Sequence, residues 1–419
     1  MDILLRSVLI IDPSSPFHQQ TTDILIQNGF VAEIGSIDRS ADKVIALQDC
    51  CVSPGWVDVF SNFCDPGFEY KETLNTGAAA AAAGGYTDVL LVPNTNPSVH
   101  TKGGIEYLVN SSQNLLIDIH PIGAITKNVE GKELAEMYDM HQSGAVAFSD
   151  GTKPVQSSGI LLKALQYVKA IDKIIIQLPE DRSISATGLM NEGISSTRLG
   201  LQGKPAIAEE IAISRDIDLA KYTGSKIHFT GISTKRSVEM IRNAKRQGVA
   251  VSCSVTPYHL SFTDEELNEY DTNLKVNPPL RTKEDQEALK QALIDGTIDC
   301  IATHHMPQDV DHKSTEFEYA ADGMIGLETA FAAVRKAVPK LRPDKLVQLF
   351  STNARQLFQL NDASIQLNTK ATFSLFFPGK KWTVTGFHSK SKNSAFINQE
   401  LNGQVAGIIN KDKVFLNQL

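Results

Sequence analysis

His304 and His305 close the apolar run Asp299–Thr303, and they are the side chains in this 419-residue chain most obviously equipped for chemistry. With His228, Asp58, Asp65 or Cys64 as further donors, imidazole plus carboxylate or thiolate would suit a zinc ion. Neighbours on a strand point to opposite faces, so one ion at a strand end cannot easily take both imidazoles. Cys64 and His304 could instead form a nucleophile and its base, but the sequence shows neither an acid to orient the imidazole nor an oxyanion hole. The structural reading is preferred for all of them. Unmatched histidines at strand ends are usually hydrogen-bonded core groups, and Asp58 and Glu328 are expected to brace the fold rather than to catalyse.

Positioning such residues requires a repeating scaffold, and the chain has one. Eight β-rich runs recur, predicted over Trp56 to Asn62, Tyr86 to Val92, Ile117 to Ile125, Ala145 to Ser149, Lys173 to Leu178, Lys226 to Ile232, Val249 to Val255 and Asp299 to Thr303. Several are nearly unbroken apolar stretches, as parallel strands buried on both faces should be. Helical signals lie between them, such as the run Ala78 to Ala83 closed by Gly84-Gly85. Another is Lys235 to Gln247, where Val238, Ile241 and Ala244 recur every three residues before Gly248. This order predicts an α/β chain with a (β/α)8 barrel over residues 53–362. Residues 1–52 and 363–419 instead alternate short β runs with turns, over Leu4 to Ile11, Thr22 to Gln27, Phe30 to Ile34, Ala371 to Phe377, Trp382 to Thr385 and Gln404 to Ile409. Each end is too small to bury much alone, so the two are expected to combine into one β-sandwich beside the barrel.

Composition narrows the function. A formal net charge of −8 and the lack of any long basic run argue against nucleic acid or an anionic membrane as the main partner. The five cysteines, two of them the adjacent Cys50 and Cys51, do not form a disulfide framework in a chain of this size. No secretory leader pattern opens the sequence and no apolar run spans a bilayer, so the cytoplasm is expected.

Six stretches in order then give the chain a relative. They are Pro66-Gly67-Phe68-Glu69-Tyr70-Lys71-Glu72-Thr73, Val92-Pro93-Asn94-Thr95-Asn96-Pro97, Phe148-Ser149-Asp150-Gly151, Val255-Thr256-Pro257-Tyr258-His259-Leu260, Lys275 to Arg281, and Gly326-Leu327-Glu328-Thr329. Together with Pro54-Gly55-Trp56-Val57-Asp58 they resemble dihydroorotases of the bacterial multifunctional-complex type, in the amidohydrolase superfamily. The resemblance covers nearly the whole chain. It implies the barrel, the module built from both termini, and a metal-dependent hydrolysis of a cyclic amide.

The same resemblance shows what has changed. The His-x-His metal pair of such enzymes falls on Phe60 and Asn62, and Phe has no lone pair while Asn offers only a weak carbonyl. The bridging carboxylate after Phe-Ser-Asp falls on Gly151, the ligand histidine of the fifth strand on Gln177, and that of the sixth on Gly231. The aspartate that binds metal and takes the proton of the attacking water falls on His304. The arginine that would clamp a substrate carboxylate in bidentate fashion is Cys64, which cannot replace a guanidinium. Asn94 and Asn277 remain where relatives contact substrate. Residues 60, 62, 64, 177, 231 and 304 are therefore expected to face one cavity at the C-terminal ends of the strands, near the loop Gly323 to Gly326.

Six altered ligand positions read as loss of the metal site, and without a metal to lower the pKa of water the nucleophile is nearly absent at neutral pH. The expectation is a barrel without its hydrolase chemistry and without a metal cofactor, acting as an assembly or regulatory partner. The resemblance suggests aspartate transcarbamoylase of pyrimidine synthesis as the partner, and a homodimer. Two alternatives stand beside it: an active dihydroorotase or other cyclic-amide hydrolase with an altered zinc site, and a small-molecule sensor around Asn94 and Asn277.

Overall fold

The computed structural model describes residues 1–185 and 187–418. Five strands open the chain: β1 (Ile3–Ile10), β2 (Thr21–Gln27), β3 (Phe30–Gly35), β4 (Lys43–Ala46) and β5 (Cys51–Pro54). The barrel strands follow as β6 (Trp56–Ser61), β7 (Tyr86–Leu91), β8 (Asp118–Gly123), β9 (Ala147–Phe148) and β10 (Ile174–Gln177). A short ribbon of β11 (Met190–Asn191) and β12 (Gly203–Lys204) interrupts them. The barrel resumes with β13 (Lys226–Phe229), β14 (Val251–Val255) and β15 (Cys300–Ile301), and the chain ends in β16 (Thr372–Thr383), β17 (Glu400–Asn410) and β18 (Lys413–Leu416).

All eight predicted barrel strands are present, each within or close to its predicted run, and they pair in parallel in the order β15-β14-β13-β10-β9-β8-β7-β6. Every residue of β6, β7, β10 and β14 is buried, which is why those runs read as continuously apolar. The helices fall where capping residues start them. Thr73 caps Leu74–Ala83 by accepting from the Thr76 amide, and Thr234 caps Lys235–Arg246 by accepting from Ser237.

Strands from both ends of the chain form one further sheet, in the order β18-β17-β16-β5-β1-β2-β3 with β4 also on β1. The join is antiparallel between β5 and β16, from Cys51 opposite Phe376 to Pro54 opposite Phe373. The predicted runs Ala371 to Phe377 and Trp382 to Thr385 belong to one strand, β16, whose register shifts between Phe377 and Lys381. This sheet abuts the barrel at Trp56, whose ring packs against Phe331, Phe350 and Phe376 at centroid distances of 4.8, 5.2 and 5.3 Å.

One side chain braces the closure of the barrel. Among the described residues, the end of the last strand meets the first through one isolated bridge, Ser61 with His305, where the Asn62 amide donates to the His305 carbonyl at 2.9 Å. Asp58, buried on β6, reaches across the gap: Oδ1 accepts the Thr303 amide at 2.6 Å and Oδ2 the Thr303 hydroxyl at 2.9 Å, while Ser61 donates to the same carboxyl. Burial pushes this carboxyl above its ordinary range, and the bonds from Ser61 and Thr303 oppose that shift. Asp58 is thus a brace. Asp58→Ala should lower unfolding stability by about 2–4 kcal/mol, because it strands a buried amide and leaves a void. Asp58→Asn, which keeps the shape and the acceptor for Thr303, should lose less than half of that. Urea titration of the pair checks this, and equal losses would show that the charge itself holds the barrel shut.

Candidate functional site

A cavity of about 390 Å³ opens at the C-terminal ends of the barrel strands, where folds of this architecture place their sites. Phe60, Asn62 and Cys64 enter it from the end of β6 and the loop beyond, Asn94 after β7, Asn277 after β14, and His304 after β15. Gln177 does not line it. Its amide donates to Asp216 on the helix Ile207–Thr223 at 3.3 Å and accepts from the Val155 amide at 3.5 Å, outside the mouth. The next residue, Leu178, faces the cavity instead. Alternation along β10 makes the two opposite in direction, and Glu180-Asp181, matching the Glu-Asp of the expected His-Ala-Glu-Asp, would have fixed the register on Leu178. The fifth ligand position is therefore a leucine.

Gly231, expected at the cavity, does not line it, and neither does Gly151; the space at both is filled from elsewhere. A Cβ on Gly231 would lie 2.5 Å from Cε1 of His304, and one on Gly151 would lie 1.8 Å from Oδ1 of Asn94. Both glycines have left-handed backbone, at φ +66° and +61°. The imidazole of His304 thus occupies the space a side chain at 231 would need. It hydrogen-bonds Thr230 through Nε2 at 2.8 Å and packs against Phe60 at 4.6 Å between ring centroids. Burial pulls it down to about 3. It is neutral at physiological pH, and its Nε2 is already engaged.

The two retained amides are also tied internally. Asn94 donates to the Asp150 carbonyl at 3.1 Å and accepts from the Thr152 amide at 2.9 Å. Asn277 accepts from Lys204 at 2.8 Å and donates to Glu180 at 3.3 Å. Asn62 likewise accepts the Cys64 amide at 2.8 Å and donates to the Asn94 carbonyl at 3.3 Å. These amides shape the wall of the cavity.

The rebuilt zinc site does not assemble. His304 turns to Thr230, whereas His305 turns to the buried Glu72 at 3.4 Å and accepts the Gly326 amide at 3.3 Å. His228 lies between Ser252 and Ser254 in the barrel core, Asp58 is committed to Thr303, and Asp65 accepts from the Tyr107 hydroxyl at 2.7 Å. Among the described residues, no three or more His, Cys, Asp or Glu side chains converge to hold a metal ion. The donor set at the mouth, Phe, Asn, Gly, Leu, Gly and a neutral, engaged His, does not fit zinc or any other divalent ion. Nor do Cys64 and His304 make a nucleophile and base. Burial pushes the Cys64 thiol up to about 12, and His304 bonds to Thr230 rather than to sulfur.

A strap from the C-terminal region holds the mouth loops. Ser389 and the Lys390 amide bond to Glu72, the Ser391 hydroxyl donates to the Lys71 carbonyl at 2.7 Å, and Asn393 donates to the carbonyls of Met306 and Gly323 at 3.1 Å each. Glu328 accepts the His388 and Ser389 amides at 2.8 and 3.0 Å. The sequence reading missed Glu72 as a hub, together with Lys71, Lys153 and Arg182 at the cavity rim. Long side chains converging from separate loops leave no spacing signal in a sequence.

An eight-stranded parallel barrel with its cavity at the strand ends and a sheet drawn from both termini defines an amidohydrolase-type fold. Solved structures share it: L-hydantoinase (dihydropyrimidinase) from Arthrobacter aurescens superposes with a TM-score of 0.88 at 23% identity, covering 99% of this chain and 96% of that one. The family model for dihydro-orotase-like proteins matches residues 50–237. The dihydroorotase of Geobacter sp. (strain M21) is 39% identical over 421 residues, 99% of each chain, and that of Ruminiclostridium cellulolyticum is 41% identical over 411 residues, 96% of each. This chain belongs to the dihydroorotase family.

Two outcomes test the site geometry. Gly231→Ala should cost about 1–3 kcal/mol, since the new Cβ strains the left-handed backbone and displaces His304; pairing it with His304→Ala should recover part of that loss in urea unfolding. Additive losses would mean that His304 does not fill the position. The second concerns pH. Burial raises Glu328 from 4.5 to about 7, so the fold holds its proton more tightly than the unfolded chain does. The stability it contributes is fully present below pH 4.5 and is lost as pH rises through 7. The decline across that window should be shallower in Glu328→Gln than in the parent, and an unchanged slope would assign the decline to other groups.

Proposed function

We propose that this chain is a non-catalytic dihydroorotase-like protein of pyrimidine synthesis, retained in the cytoplasm as an assembly or regulatory partner of aspartate transcarbamoylase. The observation that supports the loss of catalysis is the state of the ligand positions. Phe60, Asn62, Gly151, Leu178 and Gly231 supply no metal-binding group, and His304 is neutral and bonded to Thr230. Dihydroorotate opening needs a metal-activated hydroxide, and these positions hold no group to bind the metal that would supply it. The partner is suggested by the family alone. A barrel retained without its chemistry keeps its value only through a surface or a pocket, and homodimerisation is proposed on the same ground.

Elemental analysis of the purified chain, with a dihydroorotate assay in added zinc or manganese, should find no stoichiometric metal and no turnover above background. Light scattering should then give a dimer, and mixing with the transcarbamoylase of the same organism a larger complex. One tightly bound metal per chain with turnover would establish the alternative, an active cyclic-amide hydrolase with an altered site. A monomer indifferent to the transcarbamoylase at micromolar concentration would remove the assembly role.

A further inference from the structure

A second cavity, larger than the mouth and sharing no wall residue with it, lies where the terminal sheet meets the outside of the barrel. It measures about 540 Å³. It opens between the C-terminal end of the helix Leu74–Ala83, strands β17 and β18, and the segment that leads from the end of β16 into the mouth strap.

Three aromatic side chains from separate segments, Trp382, Phe387 and Phe415, contribute to its wall. The Trp382 indole is anchored at Nε1, which donates to the Gly403 carbonyl at 2.8 Å, and Phe415 meets the His388 ring edge-on at 5.4 Å between centroids. Rings held in this way are in place before a ligand arrives, so a flat body need not order them on binding.

The polar groups of the wall are acceptors. Among the described residues, the cavity is lined by no lysine or arginine, and its one carboxyl is that of Glu328. That carboxyl accepts the His388 and Ser389 amides at 2.8 and 3.0 Å, which leaves lone pairs for a further donor. Gln404 adds a second acceptor, because its Oε1 is buried and has no hydrogen-bond partner. Asn417 is committed to the protein, donating to the Ala83 and Val405 carbonyls at 2.9 and 3.0 Å. His388, the remaining titratable side chain of the wall, is the partner of the Phe415 ring. An anion would meet a carboxylate with no cation to offset it, and an apolar ligand would leave the acceptors unfilled. A planar cation with N–H donors satisfies both the aromatic wall and the acceptors.

We infer that this flank cavity binds a small organic cation, an aromatic amidinium, guanidinium or ammonium ion, with its body among Trp382, Phe387 and Phe415 and its charge on Glu328. The volume of about 540 Å³ suits a ligand of one or two rings. The site does not depend on whether the mouth holds a metal. Glu328 also holds the amides at the start of the strap, and Ser389 bonds to Glu72, so an occupant steadies the segment that orders the mouth loops.

Ligand-observed NMR titration of the full chain tests the inference, at about pH 8 so that Glu328, raised by burial to about 7, is ionised. Benzamidine should bind about tenfold or more tightly than benzamide, its uncharged counterpart, and than guanidinium, the charge without the ring. Glu328→Gln should lower benzamidine affinity about tenfold or more and leave that of benzamide within about twofold, which separates loss of charge from loss of the cavity. Trp382→Leu should weaken both ring probes, and Lys153→Met, at the mouth, should weaken neither. Equal affinity for benzamidine and benzamide, parental benzamidine affinity in Glu328→Gln, or no benzamidine binding at about 10 mM would each overturn the inference. If Glu328→Gln fails to fold, Trp382→Leu decides, and parental affinity there overturns it as well. Loss of benzamidine binding in Lys153→Met would place the cation at the mouth and overturn the flank site.

Discussion

The carboxyl of Asp58 carries the closure of the barrel. Eight parallel strands bury their faces well, but a barrel must also join its last strand to its first, and here the last strand is only Cys300–Ile301. A two-residue strand cannot supply a ladder of its own. The carboxyl substitutes for the missing rungs by taking both the amide and the hydroxyl of Thr303, and the short bridges at Ser61 and His305 follow from the alignment it imposes. Everything at the mouth inherits that alignment. His304 and His305 leave the strand immediately after Thr303, and their opposite directions set one imidazole into the cavity and the other toward Glu72.

Glu72 extends the same constraint outward. It is buried, and the charge-assisted bonds from His305, Ser389 and Thr76 hold its carboxyl below the usual range against the opposing effect of burial. Through it the β6 loop, the β15 loop and the C-terminal strap become one unit. A metal centre can order loops by coordination, and here hydrogen bonds to Glu72 and Asn393 do that work with no ion required. The mouth can thus stay shaped in the absence of ligand-to-metal bonds, which is what a binding pocket on this scaffold needs.

The barrel was legible because its strands are buried on both faces, so their apolar runs are continuous and bounded by turn residues; Ile174–Gln177 and Val251–Val255 are plain examples. The join between the termini was legible only as an argument from size, since no residue pattern pairs Cys51 with Phe376. Within the site, motif spacing brings Phe60, Asn62 and His304 to the cavity, whereas Gly151 and Gly231 do not line it. Gln177 could not be placed in this way, because one residue of slippage reverses a strand's facing. What chemistry each residue performs was less legible still. Asn94 and Asn277 read as substrate contacts, yet the structure spends both amides on neighbouring loops.

The altered positions are also mechanically coupled, and this bears on how such a site changes. His304 lies in the space a side chain at 231 would take, Phe60 packs on His304, and Asn94 fills the space beside Gly151. Restoring a histidine at 231 alone would collide with the imidazole of 304, and restoring a carboxylate at 151 alone would displace the amide that orders Thr152. No single substitution rebuilds two metal ligands at once, and one ligand among apolar neighbours holds no ion. Each step toward a metal centre at these positions therefore costs packing before it gains coordination.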